Sequence, residues 1–477
     1  MVSAELWISS YLHVGAGGCS WAVIIQLFHS MDQAASSFRA QWINPSDLFS
    51  ILLIIGGDVI GLALAALSGG PVTPVTFSFG WVSYAISALL TVRSEGNMMP
   101  PSPDSSLRVI NLSTGYTRFN RSWTLGRVFH NYEYWMPEEV EQRLENHPVL
   151  YQDEEAGAVD TEMSEKRAAT AETYANPCKF VSPHQARLCV AVYEWALDGS
   201  YPVAEPGHDW VHWLGIIVTV VQLGISAIPF ALYRDWNIFL VTVAGTILAY
   251  VSGALPQWQK EKWACRILDK RKDVALTLGN GMQHVIVVLG SKGGLDLEDM
   301  AGGQVPQDRE GRGRARRGRL IQLMSPGNTT RMMAFLLTVM WLMLLLSSTG
   351  IQDHAWYLLA VGGIGMVQNL ITAGAPRQPE MLGIPIRLAM HPDSGNETSP
   401  TPMVFAEFKV MHTLMELELD FKGAGRALLP EFFPGGGGLQ PWEEKWWSSN
   451  EPEIRRQLLR AAKEKEFNKQ MRRTQAS

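Results

Sequence analysis

The chain has 477 residues, of which 47% are apolar and only 18% charged. That charge content is below the usual quarter of a globular protein, and a net charge of -6 speaks against a generally basic nucleic-acid binder. The four cysteines, Cys19, Cys178, Cys189 and Cys265, form no C-x-x-C pair and have no histidine at zinc-finger spacing. They read as reduced, packed thiols, and neither a metal nor a cofactor is expected.

In chain order, residues 1–46 form an N-terminal segment with no basic n-region of a secretory signal. Leu6–Phe28 has no fixed charge but holds His13, Gln26 and a glycine cluster. That polar load favours an interfacial segment or a cap over the alternative of an extra span. Apolar windows then meet the roughly 20-residue requirement of a bilayer core about 30 Å thick. They are Asp47–Leu67, Val72–Val92, His212–Leu232, Trp236–Leu255, Met332–Gly350 and Ala355–Gly374. Lipid offers no partner to backbone N–H and C=O groups, so each is expected to be helical. Tryptophans bracket several of them, as amphipathic rings do at interfaces. The expected fold is an all-α integral membrane bundle of six helices in three hairpins, 47–92, 210–255 and 332–374. Small mixed α/β elements are expected in the soluble segments.

Those soluble segments are 93–209, 256–331 and 375–477. In the first, "RVINLSTGYTRF" reads as a hairpin-like patch. "SWTLGRVFHNYEYWMPEEVEQRLENHP" reads as one or two helices, with Pro137 at a helix start. In the second, Asn280-Gly281 lies between two apolar runs and predicts a β-hairpin. "LGSKGGLDLEDMAGG" follows without a P-loop pattern. Its acids Asp296, Glu298 and Asp299 fit a helix N-terminus rather than an EF-hand. An arginine-rich linker runs from Arg309 to Arg319. In the tail, Phe405, Phe408, His412, Met415 and Leu419 recur at helical spacing, with His412 in the core or at its rim. The last stretch is a basic helix, solvated or in contact with lipid headgroups.

Lysine and arginine crowd the long segments, whereas the short turns hold only Arg234. The positive-inside rule therefore places the long segments in the cytoplasm of a plasma membrane or endomembrane. Four sequons oppose this, at Asn111, Asn120, Asn328 and Asn396; each is an acceptor only if it faces the lumen, making the chain a glycoprotein. The charge bias is weighed above them.

Asp58 is the one fixed charge well inside a window. No basic residue at similar depth pairs with it, so polar partners at membrane depth are expected. Ser83, Tyr84, Gln222, Gln368 and Asn369 are the candidates, and Gly56, Gly57 and Gly61 allow close helix approach. Interhelical glue is the first reading of Asp58, and a proton or cation site the second. No G-x-S-x-G or H-E-x-x-H occurs, and His130 with Glu133 is too little for a catalytic site.

The runs "INPSDLFSILLIIGGDVI", "GGPVTPVTFSFGWVSYAISALL", "NGMQHVIVVLG" with "LDLEDMAGG", and "ALLPEFFPGG" resemble a group of multi-pass membrane proteins of filamentous fungi. The resemblance implies membrane location and fungal origin, and no activity. An accessory role in a fungal secondary-metabolite pathway is an expectation by analogy. The residues themselves favour a non-enzymatic membrane scaffold, in contact with the lipid bilayer, whose cytoplasmic face binds a protein partner and no nucleic acid. A small-solute or ion transporter or channel using Asp58 is the alternative.

Overall fold

The computed structural model describes residues 46–94, 97–145, 186–199, 201–303, 326–351, 353–391, 401–434 and 438–476. The Leu6–Phe28 window, the Arg309–Arg319 run and the Asn396 sequon lie outside the described residues.

The first helices are α1 (Ser46–Leu67) and α2 (Trp81–Ser94), both apolar. Then follow α3 (Trp123–His130), α4 (Tyr132–Trp135) and α5 (Glu138–Glu145). The chain returns as α6 (Trp210–Tyr233), α7 (Asn237–Gly253) and α8 (Pro256–Lys262). Short α9 (Leu297–Ala301) precedes α10 (Pro326–Thr349) and α11 (Ala355–Gly374). The tail forms α12 (Val410–Asp420), α13 (Ala424–Phe432), α14 (Pro441–Ser448) and α15 (Pro452–Ala476).

The all-α expectation is overturned by a seven-stranded mixed sheet. Its strands are β1 (Arg108–Asn111), β2 (Thr117–Phe119), β3 (Leu188–Trp195), β4 (Val274–Thr277), β5 (His284–Leu289), β6 (Ile386–Leu388) and β7 (Val404–Glu407). The order is β2-β1-β4-β5-β3-β6, with β7 also on β3. β3 and β5 run parallel, and the other pairs are antiparallel. Both faces of the sheet are covered, so its inner strands read as continuous apolar runs. Cys189, Ala191, Tyr193, Ile286 and Val288 point into a core with α3, α4, α9 and the end of α1. Leu188, Val190, Val192, Val285 and Val287 point the other way, under α12 to α15. The tail helices therefore sit on the sheet face away from the bundle. Phe405 lies on β7, so the tail's amphipathic helix begins only at Val410.

The six-span expectation is also overturned. Three helices, Trp210–Tyr233, Thr330–Thr349 and Ala355–Gly374, are long and apolar enough to cross a membrane. A fourth candidate is α7 joined to α8 across a 41° bend. Among the shorter apolar helices are Gly56–Leu67 of α1 and Trp81–Thr91 of α2. The window Val72–Val92 fails as one helix because its first part has no helical backbone: residues 71–80 are irregular, and α2 starts only at Trp81. Pro71 and Pro74 explain this, since each lacks an N–H and disfavours helix in the residue before it.

The C-terminal helix is held by buried charge. Lys463 on α15 donates to Glu407 (2.6 Å) and to Glu416. Burial, reinforced by the charge of Glu407, pushes the Glu416 carboxyl up to about 7. Its contribution is full below its ordinary value of 4.5 and is lost as pH rises through about 7. Burial pushes His412 down to about 4, so its contribution is full above 6.5 and lost as pH falls toward 4. In His412→Gln, where the opposing histidine contribution is absent, raising the pH from 5.5 to 8.5 is expected to loosen α15, read as faster amide exchange along it and a melting midpoint lower by about 2–4 °C. Glu416→Gln should flatten that dependence.

Candidate functional site: a re-entrant segment clamped in the bundle

The bundle is oriented by the α/β domain. Ala65 and Ala66, at the end of α1, pack into the domain core. α6 starts at Asp209, which accepts from the His212 N–H and the Arg377 Nε–H. α10 begins beside α8, with Thr330 donating to Gln257. The α6–α7 and α10–α11 turns are therefore on the far face, and so is Ser46.

From Ser68 the chain turns back into the bundle as an extended segment and leaves again as α2. Thr73 donates to the Gly253 carbonyl near the domain (3.1 Å). Gly80 sits backbone to backbone against Gly56, where a Cβ on either glycine would come within 2.6 Å of the other's backbone. At the exit, Glu261 accepts from the Met98 and Met99 N–H groups at 2.6 and 2.9 Å. Both ends of residues 68–99 thus lie on the domain side. The segment is re-entrant, extended on the way in and helical on the way out.

Such backbone is tolerated at membrane depth only when protein satisfies it. Asn369 does so as a neighbouring strand would. Its Oδ1 accepts from the Thr76 N–H (3.1 Å) and its Nδ2 donates to the Thr76 carbonyl (3.0 Å). The Thr76 hydroxyl donates to Gln368 Oε1 at 2.8 Å, and Gln368 Nε2 donates to Thr372. Gln222 Nε2 reaches the Phe77 and Val361 carbonyls at 2.8 and 2.7 Å. The Trp81 indole N–H donates to the Thr76 carbonyl. The strand can lie this close because the helices offer glycine beneath it: Gly215 under Pro74, Gly245 and Gly365 under Phe77, and Gly362 under Phe79. Trp341 closes the other side, stacked on Trp81 (centroids 5.1 Å apart) and on Phe77.

Of the four intramembrane polar candidates, Gln222, Gln368 and Asn369 are fully or nearly fully buried and converge on this segment. Asp58 does not join them; it is exposed on α1, and no described residue bonds it. Ser83 instead touches Gly57, and the Tyr84 ring lies over Gly61.

Just above the clamp, three basic side chains seal the bundle to the domain. Lys262, wholly buried, donates to the Ala66 and Ser68 carbonyls at 3.0 and 2.9 Å. Arg377, 2% exposed, binds Asp209 (2.7 Å) and donates to the Ala66 and Gly207 carbonyls. Arg127 donates to the Ala373, Gly374 and Ala375 carbonyls at the end of α11. Positive charge at helix C-termini also complements their dipoles. Sequence reasoning missed all three, and it missed Thr76 and Asp209 as well.

The sequon asparagines near this seam are engaged. Asn111 Oδ1 accepts from the Ser113 and Thr114 N–H groups, and its Nδ2 donates to Glu298 (2.8 Å). Asn120 Nδ2 donates to Ser102 Oγ and the Ser122 carbonyl. Their sequence pattern is that of local Asx turns, and a glycan on either would displace these bonds. Glycosidase treatment of the folded protein is expected to leave these two sites without a mass shift. Asn111→Ala should cost about 1 kcal/mol through the lost turn hydrogen bonds. Asn328 falls in α10, and nothing further is placed there.

Among the described residues, no group of His, Cys, Asp and Glu has the arrangement of a metal site. The chain matches no protein-family model, and neither the curated proteins nor the solved structures provide a match to it.

Proposed function

We propose that the protein is a membrane-held scaffold. Its bundle and sealed re-entrant segment fix a three-layer α/β domain at the membrane surface, and that domain offers its β2 edge to a protein partner. The observation that carries this reading is the edge itself. β2 ends the sheet, and Tyr116 (54% exposed) and Phe119 (61% exposed) stand out beside it. The Arg118 guanidinium lies over the Tyr116 ring and that of Arg108 over the Phe119 ring, at 5.7 and 5.5 Å. A sheet edge presents unpaired N–H and C=O groups, and aromatic and arginine side chains dominate binding energies at interfaces. An extended segment of a partner laid along β2 would use both.

The lysine and arginine bias supports a cytoplasmic position for the domain, as does the use of Asn111 and Asn120 in turns. Incorporating a photo-crosslinking phenylalanine analogue at Phe119 of the full-length protein in native membranes tests the scaffold reading. A discrete protein adduct is expected there and none from the same probe at Ile247, which is exposed on α7. No adduct at Phe119 would reject the reading.

The re-entrant segment favours a transporter or channel as the second reading, because such backbone often lines pathways. A solute passing there would have to part the Thr76 bonds. Flux lost in Asp58→Asn, with normal protein levels, would move the argument to that reading.

A further inference from the structure

β2 ends its sheet, and its register specifies what can pair with it. In an antiparallel pair, residues bonded to the neighbouring strand alternate with residues that are not. The Asn111 N–H donates to the Tyr116 carbonyl (2.9 Å) and the Asn120 N–H to the Leu107 carbonyl (2.8 Å). Tyr116, Arg118 and Asn120 therefore turn their backbone groups toward β1. Thr117 and Phe119 turn theirs to the free side, where no described strand lies.

The side chains divide between the two faces of the sheet. Thr117 and Phe119 stand opposite Ile110 and Arg108, on the face under the tail helices. The charge there is already matched, because Glu431 on α13 binds Arg108 and accepts from the Thr117 hydroxyl (2.9 Å). Arg118 stands opposite Val109 on the other face, beside α9. Its guanidinium lies over the Tyr116 ring and against Gly302. The carboxylate it reaches, Glu298, is 4.0 Å away and is held by Lys272 (3.0 Å) and Asn111 (2.8 Å). The Arg118 Nε–H has no acceptor among the described residues. Arg121 follows at the end of α9, its N–H on the Ala301 carbonyl; it is exposed and makes no ion pair with a described residue. A free strand edge thus has two poorly matched arginines on its α9 side and an exposed phenyl ring on the other.

We infer that the partner segment is an acidic β-strand, with glutamate or aspartate on the face it shares with Arg118 and apolar side chains on the face it shares with Phe119. Its backbone adds to Thr117 and Phe119 as a further strand. The two-residue period of a strand sends the acidic and apolar positions to opposite faces, and charge-assisted bonds to the guanidinium select the acid. This names the partner's chemistry within the scaffold reading and rests on that reading. A second copy of the chain fits less well. In the antiparallel register that uses Thr117 and Phe119 of both copies, Arg118 faces Arg118, and like charges directly opposite one another repel.

Fluorescence anisotropy on the full-length protein in nanodiscs tests the inference. The probe is a labelled, capped heptapeptide alternating glutamate and valine. Saturable binding is expected, and none from the peptide with lysine in place of glutamate or from the N-methylated form. Arg118→Gln should weaken binding roughly tenfold through the lost charge-assisted hydrogen bond. Arg121→Gln, on an exposed side chain, should weaken it too and serves if Arg118→Gln misfolds. No binding, equal binding of the glutamate and lysine peptides, or binding indifferent to both substitutions would overturn the inference. If the peptide fails while a probe at Phe119 still captures a protein in membranes, the acidic strand falls and the scaffold stands; if both fail, both readings fall. A Phe119 adduct of twice the chain's own mass would make a second copy the occupant and overturn the acidic strand.

Discussion

Arg377→Met is expected to destabilise the protein by about 3–5 kcal/mol, the cost of breaking a buried ion pair by removing one partner. Three acceptors lose a donor at once: Asp209, the Ala66 carbonyl and the Gly207 carbonyl. The Ala66 carbonyl keeps Lys262, so Asp209 carries most of the loss. Adding Asp209→Asn should recover a sizeable part, because the stranded charge is gone while asparagine still caps α6 at the His212 N–H. The double-mutant cycle, read by unfolding in detergent or nanodiscs, separates the pair from the packing. A single-mutant cost below about 1 kcal/mol, the range of exposed pairs, would mean that water reaches the seam.

How much of this was legible in the sequence depends on the type of signal. The Asn280-Gly281 turn between two apolar runs is a local signal, and β4 and β5 pair antiparallel around it. Asp296 caps α9, as acids at a helix start should. By contrast, "LCVAVYEW" is a central strand covered on both faces, and a short apolar run of that kind carries no period that separates strand from helix. Phe405 and Phe408 matched a helical spacing by coincidence, and β7 took Phe405 because β3 offered it a partner. The Val72–Val92 window carried its own warning in Pro71, Pro74 and Gly80, which mean hydropathy ignores. Once that window is read as a span, the meeting point of Gln222, Gln368 and Asn369 is invisible, because it exists only where Thr76 re-enters. Arg127, Lys262 and Arg377 look like ordinary flanking charges until the helix ends they cap are known.

Asn369→Leu is expected to be the most damaging change inside the bundle, at about 2–4 kcal/mol, because it strands backbone and not only side chains. The Thr76 N–H loses its acceptor in a place that water does not reach, whereas the Thr76 carbonyl retains the Trp81 indole. Gln368→Leu should cost less, about 1 kcal/mol, since the Thr76 hydroxyl still donates to the Gly365 carbonyl at 3.1 Å. Gln222→Leu should fall between them: it removes a donor from two carbonyls but also removes an Oε1 that has no hydrogen-bond partner. The order Asn369, Gln222, Gln368 in melting midpoint is the signature of a clamp whose first duty is to satisfy re-entrant backbone. If all three substitutions cost the same, the amides act as generic polar glue between helices. If Asn369→Leu is neutral, the extended path of residues 71–80 through the bundle is wrong, since no other described group accepts the Thr76 N–H.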